Sequence, residues 1–362
     1  MTNDSEYEHV TIMHGYGPGL HGQIVGADQH NNSRWQQSQV MHFVKGAQEC
    51  EDLGYDGVLC TEHHSLSMVS GSPHLLLAAA AMRTSRVSLG TAVTVLPLYN
   101  PVRVAEEAGL LDQLSNGRFR LGIGRGSGEV QVASGNAIGL DEHSRRYDEG
   151  IELLHLALTK SDFTFEGKCF HVPEPLTIST KPIQNPFPVW VGSGSMASAE
   201  RAAEKGWGLM RNLGDNESHR KAIEHYIAHG RKHGHTLTGN NVMIERFVCL
   251  GTTKERAEQQ MANCGAKLMN FVQIFTAGGK YNLPNNAEHS VTDSSKGGRR
   301  PMLAVFGTPD MVIAEFQKLL NETGARQLEI ATLDDSDMRM FAKEVIPHIH
   351  QVKKTVPVVG VA

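Results

Sequence analysis

Cysteine is scarce in this chain: five thiols among 362 residues, at Cys50, Cys60, Cys169, Cys249 and Cys264. The count is odd, the spacing is wide and no CxxC pair occurs, so neither a disulfide framework nor a thiolate zinc site is indicated. Charge of one sign is also lacking. With 34 Lys and Arg against 39 Asp and Glu, the formal net charge is −5, and no dense like-charge run appears. Nucleic acid is bound by concentrated basic faces, so it is a poor partner for this chain. No apolar run approaches the roughly 18 to 20 residues of a membrane helix. The opening MTNDSEYEHV carries acids where a signal peptide carries basic residues ahead of an apolar stretch. A cytoplasmic protein with no membrane contact is the expectation.

What the chain has in quantity is glycine, 37 residues, and histidine, 19 residues, within an apolar content of 40%. That composition is ordinary for a globular protein and argues against disorder, collagen or coiled coil. At about 150 residues per domain the length suggests two or three domains, yet α/β barrels run well past 200 residues as one. Length alone leaves both open.

The hydrophobic pattern decides between them. Thr11 to Gly15 reads as a short strand. Val40, Phe43, Val44 and Ala47 recur at helical spacing, Leu53-Gly54 closes that helix with a C′ glycine, and Gly57 to Cys60 is a second buried strand. Val87 to Val95 is strand-like, Asn100-Pro101 opens a helix through Leu114, and Asn116-Gly117 stops it before the strand Phe119 to Gly124. A long helix follows with Tyr147, Ile151, Leu154 and Leu158 on one face. An irregular stretch over 161–187 leads to the strand Pro188 to Ser193, the helix Ala197 to Lys205 and the apolar run Gly208 to Met210. Further on come a helix over 217–233, the strand Val242 to Leu250, and a helix from Lys254 to Met269. Thr308-Pro309-Asp310 caps a helix to Leu320, Gln327 to Leu333 is the eighth strand, and a last helix covers 336–353, with His348 and His350 as polar surface. Eight strands alternating with helices, several apolar on both faces, predict a parallel sheet covered by helices. A closed (β/α)8 TIM barrel over 1–362 with insertion loops at its C-terminal face is the natural solution; an open doubly wound sheet is the alternative. The segment 276–301, rich in Gly, Asn and Ser and carrying Arg299 and Arg300, reads as a mobile active-site loop or a plain solvated one.

Three segments at strand ends carry chemistry. Gly122-Ile123-Gly124-Arg125-Gly126 fails the GxGxxG spacing of a dinucleotide fingerprint, leaving a tight turn or a loop that presents one cation, Arg125, where barrels place their sites. Gly192-Ser193-Gly194-Ser195 precedes a helix, so it is a phosphate cradle or a simple N-cap. Glu62-His63-His64 lacks the spacing of a metal site, and no metal is expected. It offers an imidazole for proton transfer near neutral pH, or one merely satisfied at the barrel mouth.

Taken in order, these segments resemble the luciferase-like, flavin-dependent monooxygenases. The resemblance rests on Glu62-His63-His64, Leu89 to Pro97, Asn100 to Glu106, Leu111 to Phe119, Gly122 to Gly126, Arg146 to Glu149, Phe165-Glu166-Gly167, Pro188 to Ser195 and Gly307-Thr308-Pro309, and covers most of residues 10–340. It implies a (β/α)8 barrel binding reduced FMN, or in some branches F420, at its C-terminal mouth. The phosphate would lie on Arg125 with Ser193, Gly194 and Ser195, and the flavin ring over Thr91-Ala92-Val93, with a cis peptide at Ala92–Val93 and Gly124 beside it. His63 would be the catalytic imidazole, with Glu62 at its side, and Arg299 or Arg300 would close over the phosphate. The luciferases carry a reactive cysteine at the position of Gly124, so a substrate other than a long-chain aldehyde is expected. No second domain for NAD(P)H is seen. The resemblance therefore implies a homodimeric oxygenase component, served by a separate NAD(P)H:flavin reductase, that inserts one oxygen atom from O2 into a small apolar organic substrate through a flavin C4a-hydroperoxide. Met13, Met68, Leu98 and Phe275 are candidates for an apolar pocket wall. An F420-dependent hydride transfer on the same barrel and a non-catalytic flavin-binding protein are the alternatives.

Overall fold

The structure, a computed structural model, describes residues 7–16, 32–64, 69–126, 140–212, 214–259, 262, 292–293, 300–301, 304–332 and 334–353. In chain order its elements are β1 (Tyr7–His9), β2 (Thr11–Tyr16), α1 (Ser33–Leu53), β3 (Gly57–Cys60), α2 (Pro73–Ala81), β4 (Ser88–Thr91), β5 (Thr94–Val95), α3 (Pro101–Leu114), β6 (Phe119–Gly124), α4 (Leu140–Thr159), β7 (Phe163–Glu166), β8 (His171–Leu176) and β9 (Val189–Gly192). There follow α5 (Met196–Glu204), β10 (Gly208–Arg211), α6 (Asn216–Lys232), β11 (Val242–Leu250), β12 (Thr292–Asp293), β13 (Arg300–Pro301), β14 (Ala304–Gly307), α7 (Pro309–Thr323), β15 (Gln327–Thr332), α8 (Asp335–Glu344), α9 (Ile346–Ile349) and β16 (Gln351–Lys353).

The chain divides into two compact units. The first is His14–Gly192 with Ala266–Glu288, and the second is Met1–Met13 with Ser193–Gly265 and His289–Ala362. In the first, β9, β6, β4, β3 and the end of β2 lie side by side. Leu121 faces Val189, Leu89 faces Phe119 and Gly57 faces Ser88, all in parallel register. In the second, β10, β11 and β15 are parallel neighbours, with Leu209 opposite Val242 and Met243 opposite Gln327. The fold is the eight-stranded (β/α)8 barrel.

Local signals account for the elements. Asn32 accepts from Trp35 N to start α1, and Gly54, at φ 91°, ends it in the left-handed conformation that glycine adopts without penalty. Asn100 caps α3 with Pro101 at its first position. All four residues of β3 are buried, as a strand covered on both faces requires. At the N-terminal ends of these strands, Arg118 gathers the ends of three elements. Its Nε donates to Ser115 O (2.7 Å), Nη1 to Thr84 Oγ1 (3.1 Å) and Val87 O (2.6 Å), and Nη2 to Ala81 O (3.3 Å) and Thr84 O (2.9 Å). Nearby, Asp112 receives Ile183 N, Gln184 N and Gln184 Nε2 at 2.6–2.9 Å.

Several sequence expectations are corrected. Val87 to Val95 is two strands, interrupted by a cis peptide between Ala92 and Val93. The stretch 161–187 contains the antiparallel hairpin of β7 and β8. Its turn is held by Glu149, whose carboxylate accepts the amides of Lys168, Cys169 and Phe170. Helix α2 and strand β14 were not anticipated. The last helix breaks before Pro347 into α8 and the one-turn α9, and His350 ends up with its ring 5.2 Å from that of His9. The helix from Lys254 is described only to 259 and at 262. Within 276–301, Thr292–Asp293 pairs antiparallel with Arg300–Pro301. The rest of that segment, Arg299 included, lies outside the described residues, as do Met68 and Phe275.

Candidate functional site

In the first unit, strand β3 delivers Glu62, His63 and His64 from its C-terminal end. The Glu62 side chain is fully buried. Its Oε1 accepts from His64 Nε2 (2.8 Å) and Tyr99 OH (2.9 Å), and its Oε2 accepts from Val95 N (2.8 Å). The imidazole that Glu62 orients is thus that of His64, whereas the sequence reading placed the carboxylate with His63. His63 itself is half-buried. Burial pushes the Tyr99 phenol far above its ordinary range, and the Glu62 charge adds to the effect, so Tyr99 stays a proton donor to the carboxylate.

A second histidine, unmarked in the sequence, sits beside this group. His74 is buried, with Nδ1 2.7 Å from Glu107 Oε2 and Nε2 2.9 Å from Thr94 Oγ1. The bond from His74 holds the Glu107 carboxyl below the usual range against the opposing effect of burial. Both ring nitrogens are engaged, so His74 fixes α2 and α3 to the Thr94–Val95 strand rather than standing ready for a substrate.

That strand follows the cis bond, and the bond is packed tightly. Thr91 Oγ1 donates to Gly122 O (2.7 Å) and accepts Gly122 N (3.0 Å), while Ala92 N donates to Cys60 O (2.9 Å). Val93 lies across the ends of β6 and β9. A Cβ on Gly124 would be driven into Val93 Cγ2, and one on Gly192 would stand 3.1 Å from Val93 Cγ1. This explains why glycine stands at 124: Val93 has taken the space any side chain there would need. Arg125 follows, exposed. His143, buried, hydrogen-bonds to its backbone, and burial followed by the charge of Arg125 pushes the imidazole below its ordinary range. His143 Nε2 has no hydrogen-bond partner among the described residues.

In the second unit, Ser195 caps α5, accepting from Ser198 N (3.3 Å), as the N-cap reading expects. Ser193 Oγ donates to Ser195 O (2.9 Å), Ser195 Oγ is 2.7 Å from Ser198 Oγ, and a Cβ at Gly194 would meet nothing within 4 Å. The amides of Met196 and Ala197, at the first two helical positions, have no intrahelical acceptor. Arg211 is buried behind this turn, donating from Nη1 to Ser193 O (3.5 Å) and from Nε to His219 Nδ1 (3.1 Å). Burial, with Arg246 and Arg211 nearby, pushes the His219 imidazole down to about 3, so it remains neutral. Deeper along the strands, Glu245 and Glu329 stand opposite each other in register. Burial raises both carboxyls, Glu245 to about 7, and the charge of Glu245 pushes Glu329 higher still. Only the strand β13 places Arg300.

Among the described residues, no helix is long and apolar enough to cross a membrane. The protein is a (β/α)8 barrel that carries Glu62, His63 and His64 at the end of β3 and Arg125 after β6, at the strand ends where such barrels place their sites. The luciferase-like monooxygenase family model matches residues 23–327, and the chain belongs to that family. It is similar to the uncharacterized protein y4vJ of Sinorhizobium fredii, 34% identical over 176 residues, 48% of this chain and 49% of that one. The chain therefore spans about half the length of that relative. Limonene 1,2-monooxygenase of Rhodococcus erythropolis is 26% identical over 314 residues, 82% of this chain and 78% of that one. The oxygenase component of the flavin-dependent trigonelline monooxygenase of Acinetobacter baylyi is 29% identical over 212 residues, 57% of this chain and 58% of that one.

Solved structures share the fold. Monooxygenase RslO1 from Streptomyces bottropensis has a TM-score of 0.78 at 24% identity, covering 93% of this chain and 99% of that one. The oxygenating constituent of 3,6-diketocamphane monooxygenase from Pseudomonas putida, in complex with FMN, has a TM-score of 0.72 at 19% identity, covering 94% and 99%. An F420-dependent secondary alcohol dehydrogenase, in complex with an F420-acetone adduct, has a TM-score of 0.71 at 17% identity, again covering 94% and 99%.

Proposed function

We propose that this chain is the oxygenase component of a two-component monooxygenase. Reduced FMN, delivered by a separate NAD(P)H:flavin reductase, serves to place one oxygen atom of O2 in a small apolar organic substrate. The observation that carries this reading lies in the first unit: Val93 seals the ends of β6 and β9, and the exposed Arg125 follows one residue beyond, with a His143 nitrogen beside it that has no partner among the described residues. A sealed backbone surface beside a cation and a spare imidazole nitrogen fits a flat ring with an anionic tail. Family membership and a relative that is itself an oxygenase component support the same reading.

When bound, the reduced flavin supplies the electrons that activate O2. The chain's own residues bind, orient and move protons. Thr91, Ala92, Val93 and Gly124 form the bed for the ring. Arg125 is the cation proposed for the phosphate; in the second unit, Ser193, Gly194 and Ser195, with the amides at the start of α5, have by their donor chemistry the make-up of an anion-binding turn of their own. His63 is the proposed proton carrier, and Glu62 is a positioning residue that keeps His64, Tyr99 and the Val95 amide in place. A homodimer working in the cytoplasm completes the proposal.

The test is aerobic turnover of the purified chain with NADH and a generic flavin reductase, scanned over aldehydes, terpenoid ketones, sulfonates and amines, and read by the mass gain of one oxygen. Product carrying one 18O atom from 18O2 is the expected result. Anaerobic turnover with F420 would move the chain to hydride transfer, and tight FMN binding without O2 consumption would make it a binding protein.

A further inference from the structure

Nineteen histidines are more than the barrel mouth uses, and three of them form a ladder along α6 and its C-cap. His225 and His229 are four apart on one side of the helix, and His233, the C-cap residue, continues the row by stacking on His229. The facing helix α5 answers with Glu200 and Glu204, also four apart. Glu200 Oε1 is 2.8 Å from His225 Nε2, and Glu204 Oε1 is 3.1 Å from His229 Nε2. The rings of His225 and His229 are 6.0 Å apart, and those of His229 and His233 stack at 4.7 Å. Two overlapping triads result, Glu200 with His225 and His229, and Glu204 with His229 and His233. Within each, the potential ligand atoms all lie within 4.8 Å of one another.

We propose that this face of α5 and α6 binds one divalent transition-metal ion of the zinc class, with His229 as the ligand common to both arrangements. The donor chemistry is that of zinc: imidazole nitrogens with one carboxylate oxygen, and a position left for water. Zinc takes nitrogen at about 2.0–2.1 Å and carboxylate oxygen at about 2.0–2.2 Å in a tetrahedron, which sets ligand atoms about 3.4 Å apart. In each triad one cross-helix pair is already closer than this, so the ion replaces the one proton that this histidine shares with its glutamate, and the two atoms open slightly around it. The remaining atoms, within 4.8 Å of one another, need to close by at most about 1.4 Å to reach that spacing, within reach of side-chain rotation on a half-exposed surface. Supporting contacts are in place: His233 Nδ1 is 3.0 Å from His229 O and His235 Nε2 is 2.9 Å from Glu204 O. A hydrogen bond at Nδ1 fixes the tautomer and leaves Nε2 of His233 with a free lone pair. The ion joins two neighbouring helices that bury Ala199, Ala202 and Ala203 of α5 and Ala222, Ile223 and Tyr226 of α6. Its role is a clamp, separate from the residues proposed for flavin.

Calorimetric titration of the EDTA-treated, full-length chain with ZnCl2 tests this, with Co2+ as a spectroscopic probe. One zinc per chain, a visible d–d band of four-coordinate Co2+ and a zinc-dependent rise in Tm are expected. His229→Ala should weaken zinc binding by at least about 100-fold, at or beyond the upper end of what loss of a ligand's supporting partner costs. It should also abolish the Co2+ band and the Tm rise. Glu200→Gln and Glu204→Gln keep the test alive if His229→Ala does not fold; loss of zinc binding in one identifies the triad in use. His171→Ala, an exposed histidine 2.7 Å from Glu166 on the β7–β8 hairpin, should bind zinc as the parent does. No zinc binding by the parent chain overturns the proposal. Undiminished binding in His229→Ala, or in both glutamate variants, overturns it as well.

Discussion

Gly124→Ala puts the packing of the Ala92–Val93 turn to the test. The added methyl collides with Val93 Cγ2 and comes within 3.3 Å of Val93 Cβ and 3.7 Å of Cγ1. Carbon atoms rest comfortably at about 3.5–4.0 Å, so one contact is severe, one is tight and one is ordinary. Yielding toward β9 would press Val93 Cγ1 on the backbone of Gly192, where even a Cβ would stand only 3.1 Å away. Yielding the other way means moving the strand pairing of Thr94 with Ile123 and Val95 with Gly124. Overpacking of this kind costs roughly 1–3 kcal/mol. Gly124→Cys, which adds a sulfur beyond the Cβ, should reach the upper end. Urea unfolding gives the stability change from the midpoint at constant slope, and anaerobic FMNH2 titration gives the affinity, which should fall with it. Val93→Ala removes both methyl groups that the new Cβ meets, so the double variant Val93→Ala/Gly124→Ala should recover stability relative to the sum of the singles. The reasoning fails if Gly124→Ala leaves the midpoint in place, or if the two changes simply add within about 0.3–0.5 kcal/mol.

Glu62→Gln turns an acceptor of three hydrogen bonds into a group that must also donate, and should cost about 1.5–3 kcal/mol, read by urea unfolding with His64 and Tyr99 signals displaced in NMR spectra. His63→Ala should lower turnover by about 10²–10⁴-fold, the usual worth of a proton-transfer group, while FMNH2 binding persists; loss confined to His64→Ala would hand the role to the histidine Glu62 holds. Glu51 is lowered from 4.5 to about 2: burial opposes the shift, and the amides of Val87, Arg86 and Ser85 outweigh it. Its contribution is therefore complete above about 4.5 and lost as pH falls toward about 2, and acid titration of Glu51→Gln should lack that portion of the loss. The Glu245–Glu329 pair has the opposite sign, since its folded carboxyls hold protons more tightly than the unfolded ones. Stability from the pair is present below the ordinary 4.5; the Glu245 share is lost as pH rises through about 7 and that of Glu329 at higher pH still, so Glu329→Gln should flatten the decline of stability as pH rises above 4.5.

Much of the barrel could be read along the chain, because its signals are local. Asn100-Pro101 and Leu53-Gly54 announce helix ends by backbone chemistry, and fully apolar runs such as Gly57 to Cys60 announce buried parallel strands. Helix α2 escaped because Pro73 to Ala81 is apolar on nearly every side and shows no period. The hairpin escaped because its turn is held by Glu149, a residue of the preceding helix. Two residues of the motifs that carry the resemblance have structural duties: Asp112 and Glu149 hold loops by accepting backbone amides. The candidate site was legible as a set of residue types at strand ends but not as a set of partners. Glu62 meets Tyr99, 37 residues on, and His74 meets Glu107, 33 residues on, pairings that only the closed fold can make. The histidine ladder of α6 was visible as a spacing, but its meaning depends on Glu200 and Glu204 of another helix.

Arg118 bears on how this part of the molecule moves. One guanidinium holds backbone or side-chain oxygens from the end of α2, the approach to β4 and the end of α3, so none of these termini can open without releasing the others. Helix ends ordinarily exchange their amide hydrogens through independent local fraying. Here the amides around 80–90 and 113–120 should exchange together, as one slow cooperative block. At the C-terminal ends of the same strands the ties are separate and smaller, Glu62 on Val95 N and Tyr99 and Thr91 on Gly122, so each should open on its own.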